Sequence, residues 1–264
     1  MDYTKLNKLW SFRSLALTFL QREIKSRYVG SVSGLFWILI HPLALLGIYT
    51  VVFSTIFKVM PLDLGGFGFV AFVALGLWPW LAFQEGGLRG ALAIQANAGL
   101  VKKVAFPSEL LVYGAVCATY AVHGIGFIAA LAVLAFSGND LHLETLPLVM
   151  TLLLVQLLFT LGFALVLAAL QVMLKDVEHF LSPFMIIWFY ATPVLYSTAM
   201  IPAKYQLLMS LNPLSYFIGR TRELLMHGGG IVLSDGSALL GSVSVFLLGR
   251  WFFNRLAPRF EDFL

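Results

Sequence analysis

Two carboxyls, an imidazole and an ammonium fall within five residues at Lys175-Asp176-Val177-Glu178-His179. A membrane-embedded acyl or glycosyl transferase would want such groups clustered at one face, to move protons on and off a sugar or acyl donor. Asp176, Glu178 and His179 are the one close set in the chain, too few for a catalytic constellation. Two readings of this knot remain: a solvated turn with local ion pairing, or a surface element that grips a partner. A second charged group, Arg220, Arg222 and Glu223, closes the same region. An arginine near the bilayer centre costs about 2.5–3.5 kcal/mol on insertion scales, so these side chains belong at an interface or in a wet cavity, in pairs. Cys117 is the single cysteine, which leaves no disulfide framework or cysteine metal site. No GxxxxGK[ST] loop occurs, so the chain does not hold nucleotide in that manner, and uphill work would need an outside motor. Its apolar runs also lack the midplane acids that proton or sodium coupling commonly uses.

The elements that must position these groups are apolar. Of 264 residues, 60% are hydrophobic and 11% charged, and mean hydropathy is +0.90. A hydrocarbon core takes about 20 apolar residues per helix, and several such runs are present. The expectation is an all-α integral membrane protein rather than a barrel. The net charge of +4 sits mostly between apolar runs, where it sets topology and does not suggest nucleic acid. Lys5, Lys8, Arg13, Arg22, Lys25 and Arg27 interrupt the N-terminal stretch, unlike a signal peptide.

At 100° per residue, stretch 5–27 carries Ser11, Ser14, Thr18, Gln21, Arg22 and Lys25 on one side and Leu9, Phe12, Leu15, Ala16, Phe19 and Leu20 on the other. This predicts an amphipathic helix along the membrane within segment 1–32, or else a plain helix packed on its own bundle. Spans follow at 33–57, 67–83, 110–136, 147–174 and 180–200 within segment 33–200, and the sixth at about 237–251 within segment 231–252. A glycine-rich turn at 61–68 separates the first two spans. His41-Pro42 reads as a satisfied kink, with a pore-lining histidine as the alternative. Trp78-Pro79-Trp80 reads as an interfacial anchor, and 85–108 as a segment outside the membrane. Segment 201–226, with Pro202 and Pro213, is too short and broken to cross. It predicts a re-entrant pair of short helices split at Asn212-Pro213. Residues 253–264 form a basic, amphipathic tail. With a cytoplasmic N-terminus and six spans, 13 Lys and Arg face inward and four outward; a seventh crossing over 205–219 would give 12 and five, so length rather than charge excludes it.

A set of ordered motifs runs through these elements: Arg22-Glu23-Ile24-Lys25-Ser26-Arg27-Tyr28, Gly30-Ser31 and Gly34-Leu35-Phe36-Trp37 come first. Gly76-Leu77-Trp78-Pro79-Trp80, Asn97 with Leu100-Val101-Lys102-Lys103, and Phe106-Pro107 follow. Lys175-Asp176-Val177 with His179, Thr192-Pro193-Val194-Leu195-Tyr196, and Asn212-Pro213-Leu214 with Arg220 complete the set. Over nearly its whole length the chain resembles the membrane-spanning subunits of ABC-type exporters of bacterial surface polysaccharides, the O-antigen, capsule and teichoic-acid permeases. The resemblance implies a multi-pass protein of the bacterial inner membrane with both termini cytoplasmic, forming a homodimer around one channel. Each copy would contact one of two nucleotide-binding ATPase subunits. No cofactor is expected in this chain, since ATP and Mg would be bound by the partner. The cargo would be a lipid-linked polysaccharide; the alternative is an ABC-type exporter of another amphiphile, a lipo-oligosaccharide, teichoic acid or drug.

On that expectation, ATPase coupling falls to Arg22, Lys25, Arg27, Asn97, Lys102, Lys103 and Pro107, with Lys175 and Asp176 as a further element. The outer gate would be Pro202, Asn212, Pro213, Arg220 and Arg222. Sugar rings stack on aromatic faces, which nominates Trp37, Tyr49, Trp188, Tyr190 and Tyr196 for the channel, each with a lipid-facing or core role as the alternative.

Overall fold

The computed structural model describes residues 12–26, 37–58 and 68–264. Residues 1–11, Arg27, residues 28–36 and most of the 61–68 turn lie outside it, and with them the expectations placed there. Everything described is helix or connection, with no strand among the described residues.

In chain order the helices are α1 (Arg13–Ser26), α2 (Trp37–Tyr49, prolonged by a wider π turn over Thr50–Ile56), α3 (Phe69–Leu92) and α4 (Ala98–Lys103). They continue with α5 (Glu109–Phe136), α6 (Leu146–Met173), α7 (Val177–Tyr190), α8 (Ala203–Ser210), α9 (Pro213–His227), α10 (Leu233–Leu256) and α11 (Phe260–Phe263). Five stretches among the described residues are long and apolar enough to cross a membrane: Leu39–Ile56, Phe69–Leu92, Glu109–Phe136, Leu143–Met173 and Leu233–Phe263. The chain is a multi-pass helical membrane protein.

α3 is the axis of the bundle. It is buried on nearly every side, from Phe69 through Phe83 and on to Ala91, with α5 and α6 along it and α2, α7 and α9 against the rest. A helix apolar all round has to be enclosed in this way. α10 lies along α6, where two glycines let the backbones touch. A Cβ on Gly162 would stand 2.6 Å from Phe246 Cα, and one on Gly249 2.8 Å from the Gly162 carbonyl carbon.

Two expectations change. Trp78 and Trp80 are not interfacial anchors; each is 1% exposed in the core, because α3 does not end near them. It runs on to Leu92 and takes Glu85 and Arg89 into the helix. The stretch expected as the fifth span is not one helix either. α7 stops at Tyr190, and turns and a short 3-10 segment fill the path to Pro202. Fourteen residues rise about 21 Å, short of the ~30 Å hydrocarbon core.

Candidate functional site

The broken end of α7 is the irregular backbone that the rest of its neighbourhood serves. A helix C-terminus strands its last carbonyls, and in apolar surroundings these need partners. Asn212, at the N-cap of α9, supplies several bonds. Its amide donates to Ala191 O at 3.1 Å and to Thr192 Oγ1 at 2.9 Å. Its Oδ1 accepts from Trp188 Nε1 at 3.0 Å and from Leu214 N at 3.1 Å. Pro213 follows at the first position of α9, where its missing N–H costs nothing.

Arg222, about one turn further along α9 than Ile218, completes the cap. Nε donates to Phe72 O at 2.9 Å, Nη1 to Pro193 O at 2.6 Å, and Nη2 to Val194 O. Its guanidinium lies 3.7 Å from the Phe72 ring centroid. Gly76 makes room, since a Cβ there would stand 2.8 Å from Arg222 Cζ. Arg220 is also buried, on the face toward α10. It pairs with Asp235 at 3.1 Å and Glu223 at 2.9 Å, and donates to Gly230 O at 2.5 Å. Burial works against its charge, but the hydrogen bonds to Asp235 and Glu223 prevail and hold its pKa above the usual value. Thr145 Oγ1 donates to Leu224 O at 2.9 Å, which fixes α9 to the α5–α6 connection. Of the expected gate residues, Asn212, Pro213, Arg220 and Arg222 thus sit together, whereas Pro202 is exposed at the start of α8.

Beside α7 lies a half-open cavity of about 270 Å³ between α2, α3 and α7. His41, Tyr49, Trp80, Gln84, Phe189 and Tyr190 line it. Tyr49 stacks on Phe189 at 5.5 Å, and Trp80 Nε1 donates to Gln84 Oε1 at 3.0 Å. Aromatic faces beside amide and imidazole groups suit a sugar, whose rings have apolar faces and polar edges. Tyr49 and Tyr190 of the channel candidates meet here. Trp37 is exposed at the head of α2. Trp188 instead packs edge-on to Phe83 and Phe163, and the Tyr196 hydroxyl donates to Tyr190 O at 2.9 Å.

At the opposite end, α1 packs on α5, with Phe19 buried there and its ring 5.5 Å from that of Phe106. Arg22 donates to Asn97 Oδ1 at 2.6 Å, and Asn97 Nδ2 donates to Ala93 O at 2.8 Å. Glu23 meets Arg89 at 3.5 Å. A half-open hollow of about 240 Å³ separates α1 from the end of α3. Lys25, Lys102 and Lys103 are exposed nearby, and Pro107 leads into α5. Lys175 and Asp176 are exposed in the α6–α7 turn, and Glu178 and His179 in the first turn of α7. They form no metal cluster, and no group of three or more His, Cys, Asp or Glu suited to a metal occurs among the described residues.

Several paired polar residues escaped the sequence reading. Glu109, buried at the start of α5, accepts from Arg250 of α10 at 3.1 and 3.2 Å. Gln156 of α6 donates to Pro79 O at 2.9 Å. Glu85 accepts from Arg89 at 2.6 Å and lies 2.7 Å from His123 Nε2. The four-residue spacing of Glu85 and Arg89 is a helix-pair signal; the cross-helix partners leave no mark in the sequence.

Residues 14–226 match the family described as ABC-2 type transporter. A Myxococcus xanthus protein described as O-antigen export system permease protein RfbA is 33% identical over 251 residues, covering 92% of each chain. Two Klebsiella pneumoniae proteins of the same description are 29% identical over 257 residues and 27% over 254, covering 95% of each chain.

Proposed function

Because the chain belongs to the ABC-2 type transporter family, we propose that it is the membrane-spanning permease subunit of an ATP-driven exporter carrying a lipid-linked, O-antigen-like polysaccharide across the bacterial inner membrane. The observation that carries this reading is the near full-length similarity to proteins described as O-antigen export permeases. The chain itself has no phosphate-binding loop, so a separate ATPase subunit, holding ATP and Mg, drives it.

The outer faces of α2 and α7 support a homodimer. Leu43, Ile48, Val51, Phe180, Ile186 and Ile187 are exposed on them, beside the aromatic cavity, and a second copy set there would close a path that one chain leaves open. In this reading α1, α4 and the α6–α7 turn face the cytoplasm, as do both termini, and Arg22, Asn97, Lys102 and Lys103 meet the ATPase. A sixth crossing is completed by α7 with the turns that follow it. α8 and α9 dip back in from the far side as the outer gate, and Tyr49 and Tyr190 touch the sugar.

The test is reconstitution in proteoliposomes with the candidate ATPase and radiolabelled lipid-linked polysaccharide. ATP-dependent movement that needs both proteins supports the reading. Movement by the permease alone, or ATPase activity indifferent to the permease, refutes it.

A further inference from the structure

A chain of four ionisable side chains links α1 to the interior of the bundle. Glu23 on α1 meets Arg89 at 3.5 Å, Arg89 meets Glu85 at 2.6 Å one turn earlier on α3, and Glu85 lies 2.7 Å from His123 on α5. Side-chain exposure is 25% at Glu23, 42% at Arg89, 35% at Glu85 and 9% at His123, so only the last member is enclosed. The outermost contact is therefore long and solvated, and exposed ion pairs are weak. The inner two are short and charge-assisted, at 2.6 and 2.7 Å, and the one to His123 is also sheltered.

α1 also holds α5 at a second height. Phe19 packs where Gly114 leaves room, a Cβ there standing 3.1 Å from Phe19 Cβ. Gly114 and His123 are nine residues apart on α5, about 13 Å along its axis. The contact at Gly114 is direct packing and the one at His123 is relayed through α3, so a displacement of α1 moves these two points on α5 unequally, which is a tilt. His123 faces space in which a tilt can occur. It lines a half-open cavity of about 410 Å³ between α3, α5 and α6, with Trp78, Cys117, Tyr120, Gly124 and Met150. Close-packed interiors resist movement; here the end of the chain abuts a void.

We propose that Glu23, Arg89, Glu85 and His123 form a lever that transmits displacement of α1 to α5, with Arg89 as its positioning residue. This rests on the reading of the chain as an ATP-driven permease. The experiment measures polysaccharide moved per ATP hydrolysed in proteoliposomes holding the permease and its ATPase, with co-purification of the two as the assembly control. Arg89→Gln and Glu85→Gln are expected to lower that ratio about tenfold, a usual size for coupling between sites, while assembly and ATP hydrolysis persist. Arg89→Lys restores most of it, and Glu23→Gln adds little on top of Arg89→Gln because both cut one chain.

An unchanged ratio in Arg89→Gln and Glu85→Gln overturns the lever. So does loss of assembly in both, or additive effects of Glu23→Gln and Arg89→Gln. If wild type itself moves nothing with ATP, the permease reading fails instead, and the two failures are told apart by that control.

Discussion

Replacing Arg222 by methionine tests the idea that α9 caps the broken end of α7. Methionine keeps most of the length and apolar body of the side chain but removes its charge and donors. Pro193 O and Val194 O, outside any helix, then lose this partner, and Phe72 O keeps only its bond within α3. Each buried acceptor left unpaired costs about 1–3 kcal/mol. Against that, the guanidinium no longer has to be held out of water, which returns several kcal/mol. Hydrogen bonds from a charged donor are worth about 1.5–3 kcal/mol apiece, so three of them outweigh the desolvation, and the net loss is about 3–4 kcal/mol. At ~2–4 °C per kcal/mol for chains of this order, the unfolding midpoint in detergent drops by about 10 °C. Cys117, the sole cysteine and partly buried on α5, is a built-in reporter, since a thiol-reactive fluorophore labels it as the bundle opens. Gly76→Ala pushes Arg222 off its carbonyls and shifts the midpoint the same way, but adds little once Arg222 is methionine. A midpoint for Arg222→Met within about 2 °C of wild type, measured against that per-kcal shift, refutes the capping argument.

Asn212→Leu removes the bonds to Ala191, Thr192, Trp188 and Leu214, for a loss of about 2–3 kcal/mol, read by the same dye, and opens residues 191–200 to protease. Gly249→Leu forces a side chain between the α6 and α10 backbones. Overpacking of this kind costs about 1–3 kcal/mol or more, whereas the same change at Gly236, where a Cβ meets nothing within 4 Å, leaves the midpoint unmoved. Reversing charge at Lys102 and Lys103 together leaves the permease in the membrane but abolishes co-purification of the ATPase; full export by that variant counts against α4 as a contact.

What the sequence makes legible follows from what hydropathy can sense. The helices at 109–136 and 146–173 match the expected spans to within one residue, because each is one apolar run bounded by polar or charged residues. The sequence pattern ends this span at Phe83, since Glu85 and Arg89 look like an exit from the membrane, whereas α3 runs to Leu92. They stay in the helix because each is the other's partner, His123 is a third, and both keep a third or more of the side chain exposed, so neither charge is fully desolvated. The interfacial reading of Trp78 and Trp80 fails for the same reason, since both are buried in the continuing helix. A Trp-Pro-Trp triplet marks an interface only when its helix ends there.

The break in α7 is a harder case. Thr192-Pro193 is a local hint, since a residue before proline disfavours helix, yet residues 180–200 remain apolar enough to read as a full span. What permits the break is distant in the chain: Asn212 and Arg222 meet the stranded carbonyls from about 20 to 30 residues downstream. Pattern reading tests whether a helix can form. It has no access to whether some later side chain will satisfy the backbone if the helix stops. The same limit hid Glu85 and His123, whose types are ordinary and whose pairing exists only after α3 and α5 are packed. Residues in this chain that hold irregular backbone or bridge helices are therefore found by asking which polar group a packed bundle would strand, and which side chain lies within 3 Å of it.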